Sequence, residues 1–83
     1  MNNPIAEAMK ELLESQNRTR VWYGDLDLIE QCAKLNGLHF HPRKSIGIVL
    51  NALDRSPNFI KSYIYSDING RQRKYRCFSL INN

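Results

Sequence analysis

The sequence predicts an α+β domain: three helices, a short strand between the first two, and a C-terminal β-hairpin. Three observations carry this expectation. Apolar residues recur at helical spacing in three separate segments. Asn69-Gly70, the dipeptide most favoured in a two-residue hairpin turn, separates two β-rich segments. The chain has 83 residues, room for one domain over 1–83, with a small core that buries about 60–65% of the surface exposed when unfolded.

The first helix is expected from about Pro4 to Gln16. Asn3 is a good N-cap, and Pro4 suits the first helical position, where a missing N–H costs nothing. Ile5, Met9, Leu12 and Leu13 make its apolar stripe, while Glu7, Lys10, Glu11 and Glu14 lie mostly off it. After a break at Asn17, the segment 20–23 (Arg20-Val21-Trp22-Tyr23) reads as a short strand ending at Gly24, able to pair with a later hairpin. Trp22 is expected in the core at the sheet edge.

Asp25 or Asp27 can cap a second helix that reaches about Asn36, and Gly37 is a natural residue for its left-handed exit. Leu28, Ile29, Cys32, Ala33 and Leu35 supply its apolar side. Leu38-His39-Phe40-His41 then leads to a third helix that opens at Pro42. There Ile46, Val49, Leu50 and Leu53 recur at i, i+3, i+4 and i+7, and the opposite face carries Lys44, Gly47, Ile48, Asn51 and Arg55. Ser56-Pro57-Asn58 stops the helix.

Phe59–Tyr65 and Tyr75–Ile81 are the hairpin strands. With Asn69 and Gly70 as the central turn residues, Ile68 faces Arg71 and the register follows. Ile64 faces Tyr75, Ser62 faces Cys77 and Ile60 faces Ser79. Tyr65 faces Lys74, Tyr63 faces Arg76 and Phe59 faces Leu80. One side of the hairpin near its tip thus mixes tyrosines with cations. An isolated hairpin is marginal in water, so this one must pack on the helices.

Hydrophobic residues are 42% and charged residues 24% of the chain, too apolar for a disordered polymer. The longest apolar runs are a few residues, so no membrane span is expected. Met1-Asn2-Asn3-Pro4 lacks the basic-then-apolar pattern of a secretory signal. Two cysteines, Cys32 and Cys77, are too few for a disulfide framework. They read as reduced thiols in a cytoplasmic protein, with a single bridge left open.

His39 and His41 project to one side of an extended segment. Zinc sites, however, need four ligands, or three plus water, and no CxxC accompanies the pair. Packing at the helix entry accounts for them, and neither a metal nor a cofactor is expected. Asp25, Asp27 and Glu30 fall where negative charge complements a helix dipole. No acid–base or nucleophile constellation emerges, so the expectation is a protein that is not an enzyme.

The net charge of +4 is unevenly spread. Residues 1–41 hold four basic against six acidic residues, a net −2, and residues 42–83 hold eight against two, a net +6. A basic half inside one small domain implies an anionic partner, most often nucleic acid.

Over about residues 4–81, the order helix, short strand, helix, turn, helix, hairpin resembles a winged helix, the helix-turn-helix variant with a β-hairpin wing. The stretch that carries most of the resemblance is Ile46 through Ile64. There a striped helix ends in Leu50-Asn51-Ala52-Leu53-Asp54-Arg55 and runs through Ser56-Pro57-Asn58 into Phe59-Ile60-Lys61. The basic tip, Gly70-Arg71-Gln72-Arg73-Lys74-Tyr75-Arg76, adds to it.

The resemblance implies double-stranded DNA as partner. The third helix would enter the major groove, with Arg43 and Lys44 near its start, where helix N-termini favour phosphate. Asn51 suits adenine, and Arg43 or Arg55 suits guanine. Arg71, Arg73, Lys74 and Arg76 would reach the backbone or minor groove, with Tyr63 and Tyr65 bonding phosphates or stacking. The role implied is a transcriptional regulator, or an accessory factor in replication or recombination. It would act as a homodimer or cooperative assembly through the first helix or the hairpin's edge strand. The alternative is the same fold used as a protein-interaction module or small inhibitor. It rests on the acidic N-terminal half and on Ile48, which suits either a thymine methyl or a protein surface. RNA binding shares the basic signal and stays open.

Overall fold

Asn3 takes the Ala6 N–H on its Oδ1 at 3.1 Å and so opens α1, Pro4–Ser15, in the computed structural model. That structure describes residues 3–68 and 70–81, the side chains of Pro42 and Ile68 apart. The same Asn3 donates from Nδ2 to the Ala52 carbonyl at 2.9 Å and ties the start of α1 to the third helix. α1 ends on Asn17, whose φ of 55° puts it in the left-handed region. Arg18 N–H donates to Leu13 O and Asn17 N–H to Glu14 O. This is the double-bonded helix exit usually built on glycine, here on asparagine, which also tolerates that conformation.

β1 is Arg20–Trp22, α2 is Leu26–Leu35 and α3 is Pro42–Asp54. α2 leaves through Gly37 at φ +71°, with Leu38 N–H bonded to Ala33 O and Gly37 N–H to Lys34 O. β2, Phe59–Ile68, and β3, Arg71–Leu80, complete a three-stranded antiparallel sheet in the order β1-β3-β2. The fold is therefore α+β, with three helices and one antiparallel sheet.

Each helix gives its stripe to one core. Ala6, Met9 and Leu13 of α1, Leu28, Ile29, Cys32 and Ala33 of α2, and Ile46, Val49, Leu50 and Leu53 of α3 are buried with Val21, Phe59 and Phe78 of the sheet. Burying a side chain the size of Phe78 is worth about 2–3 kcal/mol.

Three expectations fail in their detail. Trp22 is half-buried and outside the core. Val21 pairs with Phe78 on the face toward the helices, so strand alternation turns Trp22, opposite Cys77, to the other face. There it meets the Tyr75 ring edge-on at 6.0 Å. Leu35 is 66% exposed because α2 is ending and its stripe has already turned inward through Ala33. Asp25 sits at the N-cap of α2 without capping it. Its Oδ2 instead accepts the Trp22 N–H and the Arg18 guanidinium, both at 3.1 Å. The carboxylate thereby closes the turn between β1 and α2.

Cys32 and Cys77 are free and buried. No helix is long and apolar enough to cross a membrane among the described residues.

Candidate nucleic-acid interface

The outer face of α3 follows from the helix's anchoring. Ser45, buried one turn into α3, accepts the His41 N–H on its Oγ at 2.8 Å and donates to His39 O at 3.4 Å. This satisfies an N–H that the helix itself leaves unpaired. It also fixes the rotation of α3, so that Ile46, Val49, Leu50 and Leu53 go inward. Lys44, Ile48, Asn51 and Arg55, spaced i, i+4, i+7 and i+11, are then exposed as a stripe, and Arg43 is exposed in the first turn.

The hairpin has the expected register throughout, from Phe59 opposite Leu80 to Ile68 opposite Arg71. Gly70 takes φ +76°, as a tight turn requires, while Asn69 lies outside the described residues. Alternation puts Phe59, Lys61, Tyr63 and Tyr65 on the helix side of the sheet with Leu80, Phe78, Arg76 and Lys74. Near the helices this side is core. Beyond Tyr63 it emerges into solvent, and Tyr65 is 71% exposed. Arg71 and Arg73 fall on the opposite side, paired with Ile68 and Ser66.

The two surfaces meet at one contact. Arg76 Nη1 donates to Asn51 Oδ1 at 2.8 Å, from the hairpin to the middle of the α3 stripe. Next to it, Lys74 Nζ stands 4.3 Å from the Tyr63 ring centroid, and Lys61 Nζ is 5.9 Å from the same ring. A cation over an exposed ring is worth about 0.5–1 kcal/mol, enough to bias the lysine's position without removing its charge. Asn51, Arg55, Lys44, Arg76, Lys74, Tyr63 and Tyr65 thus form one surface, whereas Arg71 and Arg73 stand on the far side of the hairpin.

Charge on this surface is not cancelled internally. Among the described residues the ion pairs are Arg18–Asp25, Lys34–Glu30 and Lys61–Asp54. Of the eight basic residues in 42–83, only Lys61 therefore has an acidic partner among the described residues, at 3.5 Å.

Sequence reasoning missed Lys61. It joins the front of the hairpin to the end of α3 through Asp54, and its place beside Tyr63 was readable from the register. It also missed the Arg76–Asn51 bond, since no spacing in the chain brings positions 51 and 76 together.

Among the described residues no three His, Cys, Asp or Glu side chains gather as metal ligands. The Cys32 thiol donates to Ile5 O at 3.3 Å, and burial raises its pKa from 9.0 to about 11, so at neutral pH it is an unreactive thiol. Comparison with known proteins finds no matching family model, no matching curated protein and no matching solved structure.

Proposed function

We propose that this protein is a winged-helix DNA-binding protein, with α3 as the helix that enters the major groove and the β2–β3 hairpin as the wing on the backbone. The observation that carries the reading is the junction at Arg76 and Asn51. It makes the α3 stripe and the cationic front of the hairpin a single surface, whose cations lack acidic partners among the described residues. Four of them lie on that surface: Lys44, Arg55, Lys74 and Arg76. An uncompensated cluster of this kind suits a polyanion with regularly spaced charges. Asn51 and Ile48, at the centre of the stripe, are the side chains suited to base edges, an adenine and a thymine methyl. No bond is made or broken in this activity. The protein acts by occupying its site, in the compartment that holds DNA, as a regulator or as an accessory factor.

The test is fluorescence anisotropy of random duplex DNA against the protein. With four phosphate contacts the slope of log K against log salt is about −3.6, and a rise from about 50 to about 200 mM salt weakens binding about 150-fold. Absence of binding at low salt overturns the reading. It would leave the protein-interaction module, for which the 45% exposure of Ile48 on the outer face of α3 speaks.

A further inference from the structure

The open edge of β2 is self-complementary. Among the described residues β2 has β3 on one side and no strand on the other, and it is ten residues long. Its sequence Ile60-Lys61-Ser62-Tyr63-Ile64-Tyr65-Ser66-Asp67-Ile68 reads the same from either end except at Lys61 and Asp67, which carry opposite charges. Two copies laid antiparallel about Ile64 would therefore place Tyr63 opposite Tyr65, Ser62 opposite Ser66, and Lys61 opposite Asp67.

The backbone has the matching parity. Leu80 N–H donates to Thr19 O and Arg76 O accepts the Tyr23 N–H, so even-numbered positions of β3 serve the β1 side. Ile81 N–H donates to Asn58 O, so odd positions serve β2, and their partners in β2 are even-numbered. The N–H and C=O groups of Lys61, Tyr63, Tyr65 and Asp67 then point out of the open edge. These are the residues that a twofold at Ile64 pairs with each other, whereas a twofold between residues would pair inward-pointing groups with outward ones. A slip by two positions restores the parity but separates lysine from aspartate. Charge, side-chain identity and hydrogen-bond direction agree on one register.

We propose that the protein forms a homodimer by antiparallel β2–β2 pairing centred on Ile64, giving a continuous six-stranded sheet. Lys and Asp on an edge strand commonly discourage pairing. Here one of each, equidistant from the centre, discourages every partner except a second copy in this register. The inference does not depend on DNA binding and is tested without DNA.

Ile64→Cys is the direct probe. At the twofold, two copies of position 64 form a non-hydrogen-bonded pair with Cα atoms about 4.5 Å apart, within disulfide range. In the same register two copies of position 66 are about 14 Å apart, beyond bridging. Under mild oxidation the Ile64→Cys protein is expected to become a covalent dimer on a non-reducing gel, and the Ser66→Cys protein, whose cross-strand neighbour is Arg73 rather than a cysteine, to stay a monomer. No crosslink at 64, or equal crosslinking at both positions, overturns the proposal.

Sedimentation equilibrium gives the second readout. The unmodified chain is expected at twice its monomer mass. Asp67→Lys and Lys61→Glu should each weaken the dimer about tenfold, since each change strikes two sites per dimer. An equimolar mixture of the two variants should recover it, because opposite charges face each other again. Asp67→Lys is the cleaner arm, as Lys61 also pairs with Asp54, and thermal melts establish that both variants are folded. A chain that sediments as a monomer at its highest soluble concentration, or a mixture that fails to recover, refutes the register.

Discussion

Asn51 and Arg76 allow the DNA reading to be tested by adding or removing single charges at one contact. In the free protein the Arg76 guanidinium is bonded to Asn51 Oδ1 and remains a cation. Asn51→Asp keeps the shape and turns the bond into an ion pair, which cancels one of the four surface cations. The slope of log K against log salt should flatten from about −3.6 to about −2.7. A fourfold rise in salt then weakens binding about 40-fold rather than about 150-fold. Lys74→Ala with Arg76→Ala removes two cations. The slope should fall to about −1.8, and the same salt change should cost only about 12-fold. Asn51→Ala removes no charge, so its slope should stay near −3.6, while its preference among duplex sequences changes. The assay for all four proteins is anisotropy on one random duplex across a salt series, and sequence selection follows for Asn51→Ala alone. An unchanged slope in the double variant would mean that the front of the hairpin does not touch phosphate. A sequence preference retained by Asn51→Ala would mean that α3 does not read bases there.

Other predictions concern the scaffold. A Cβ at Gly24 would overlap the indole ring of Trp22, so Gly24→Ala should destabilise the fold by about 1–3 kcal/mol and shift the tryptophan emission; an unchanged melt and spectrum would refute this. Asp25→Ala strands the Trp22 N–H and loosens Arg18, at a cost of about 1 kcal/mol measured by urea unfolding. Cys32 is protonated in the fold up to about pH 11 and ionises near 9.0 when unfolded. The unfolded state therefore binds fewer protons as pH rises through 9. The stability advantage of the native chain over Cys32→Ala, read from paired melts, should be constant below about pH 8 and shrink toward pH 10.

The fold was legible where a periodic signal and a punctuating residue coincided. α3 is read from Ile46, Val49, Leu50 and Leu53 between Pro42 and Ser56-Pro57, and all four are buried. The whole hairpin register followed from placing Asn69-Gly70 at the turn, because strand pairing counted outward from a two-residue turn has no freedom left. What failed was local competition for a side chain. Asp25 has the composition of a helix cap, but an unpaired N–H at Trp22 and a guanidinium at Arg18 lie within its reach and take the carboxylate. Trp22 looked like core by size, yet Val21 occupies the inward position of a three-residue strand. Neither competition is visible without the fold, since both are settled by what the neighbouring elements bring close. For the same reason the candidate site was legible as two lists of residues and not as one surface.

The outer half of the hairpin raises a physical question that bears on both proposals. Past Tyr63 and Arg76 no helix among the described residues covers it, and Tyr65, Asp67 and Arg71 through Lys74 are all exposed. Two strands with no covered face are marginal in water. This ribbon also carries Arg71, Arg73 and Lys74 close together, whose mutual repulsion disfavours folding. Among the described residues, intramolecular support there is the ladder, the Gly70 turn, one lysine over Tyr63 and, at the base, the Tyr75 ring against Trp22 and Tyr23. A ribbon built this way gains most from what lies outside the chain. An anion along its front relieves the part of that repulsion that comes from Lys74, and a second β2 along its edge satisfies the outward N–H and C=O groups of Lys61, Tyr63, Tyr65 and Asp67. The two gains act on different groups and need not exclude each other. Amide exchange separates them. Added duplex should protect residues on both strands together, whereas raising the protein concentration without DNA should protect the odd-numbered amides of β2 first, since within β2 only those point away from β3.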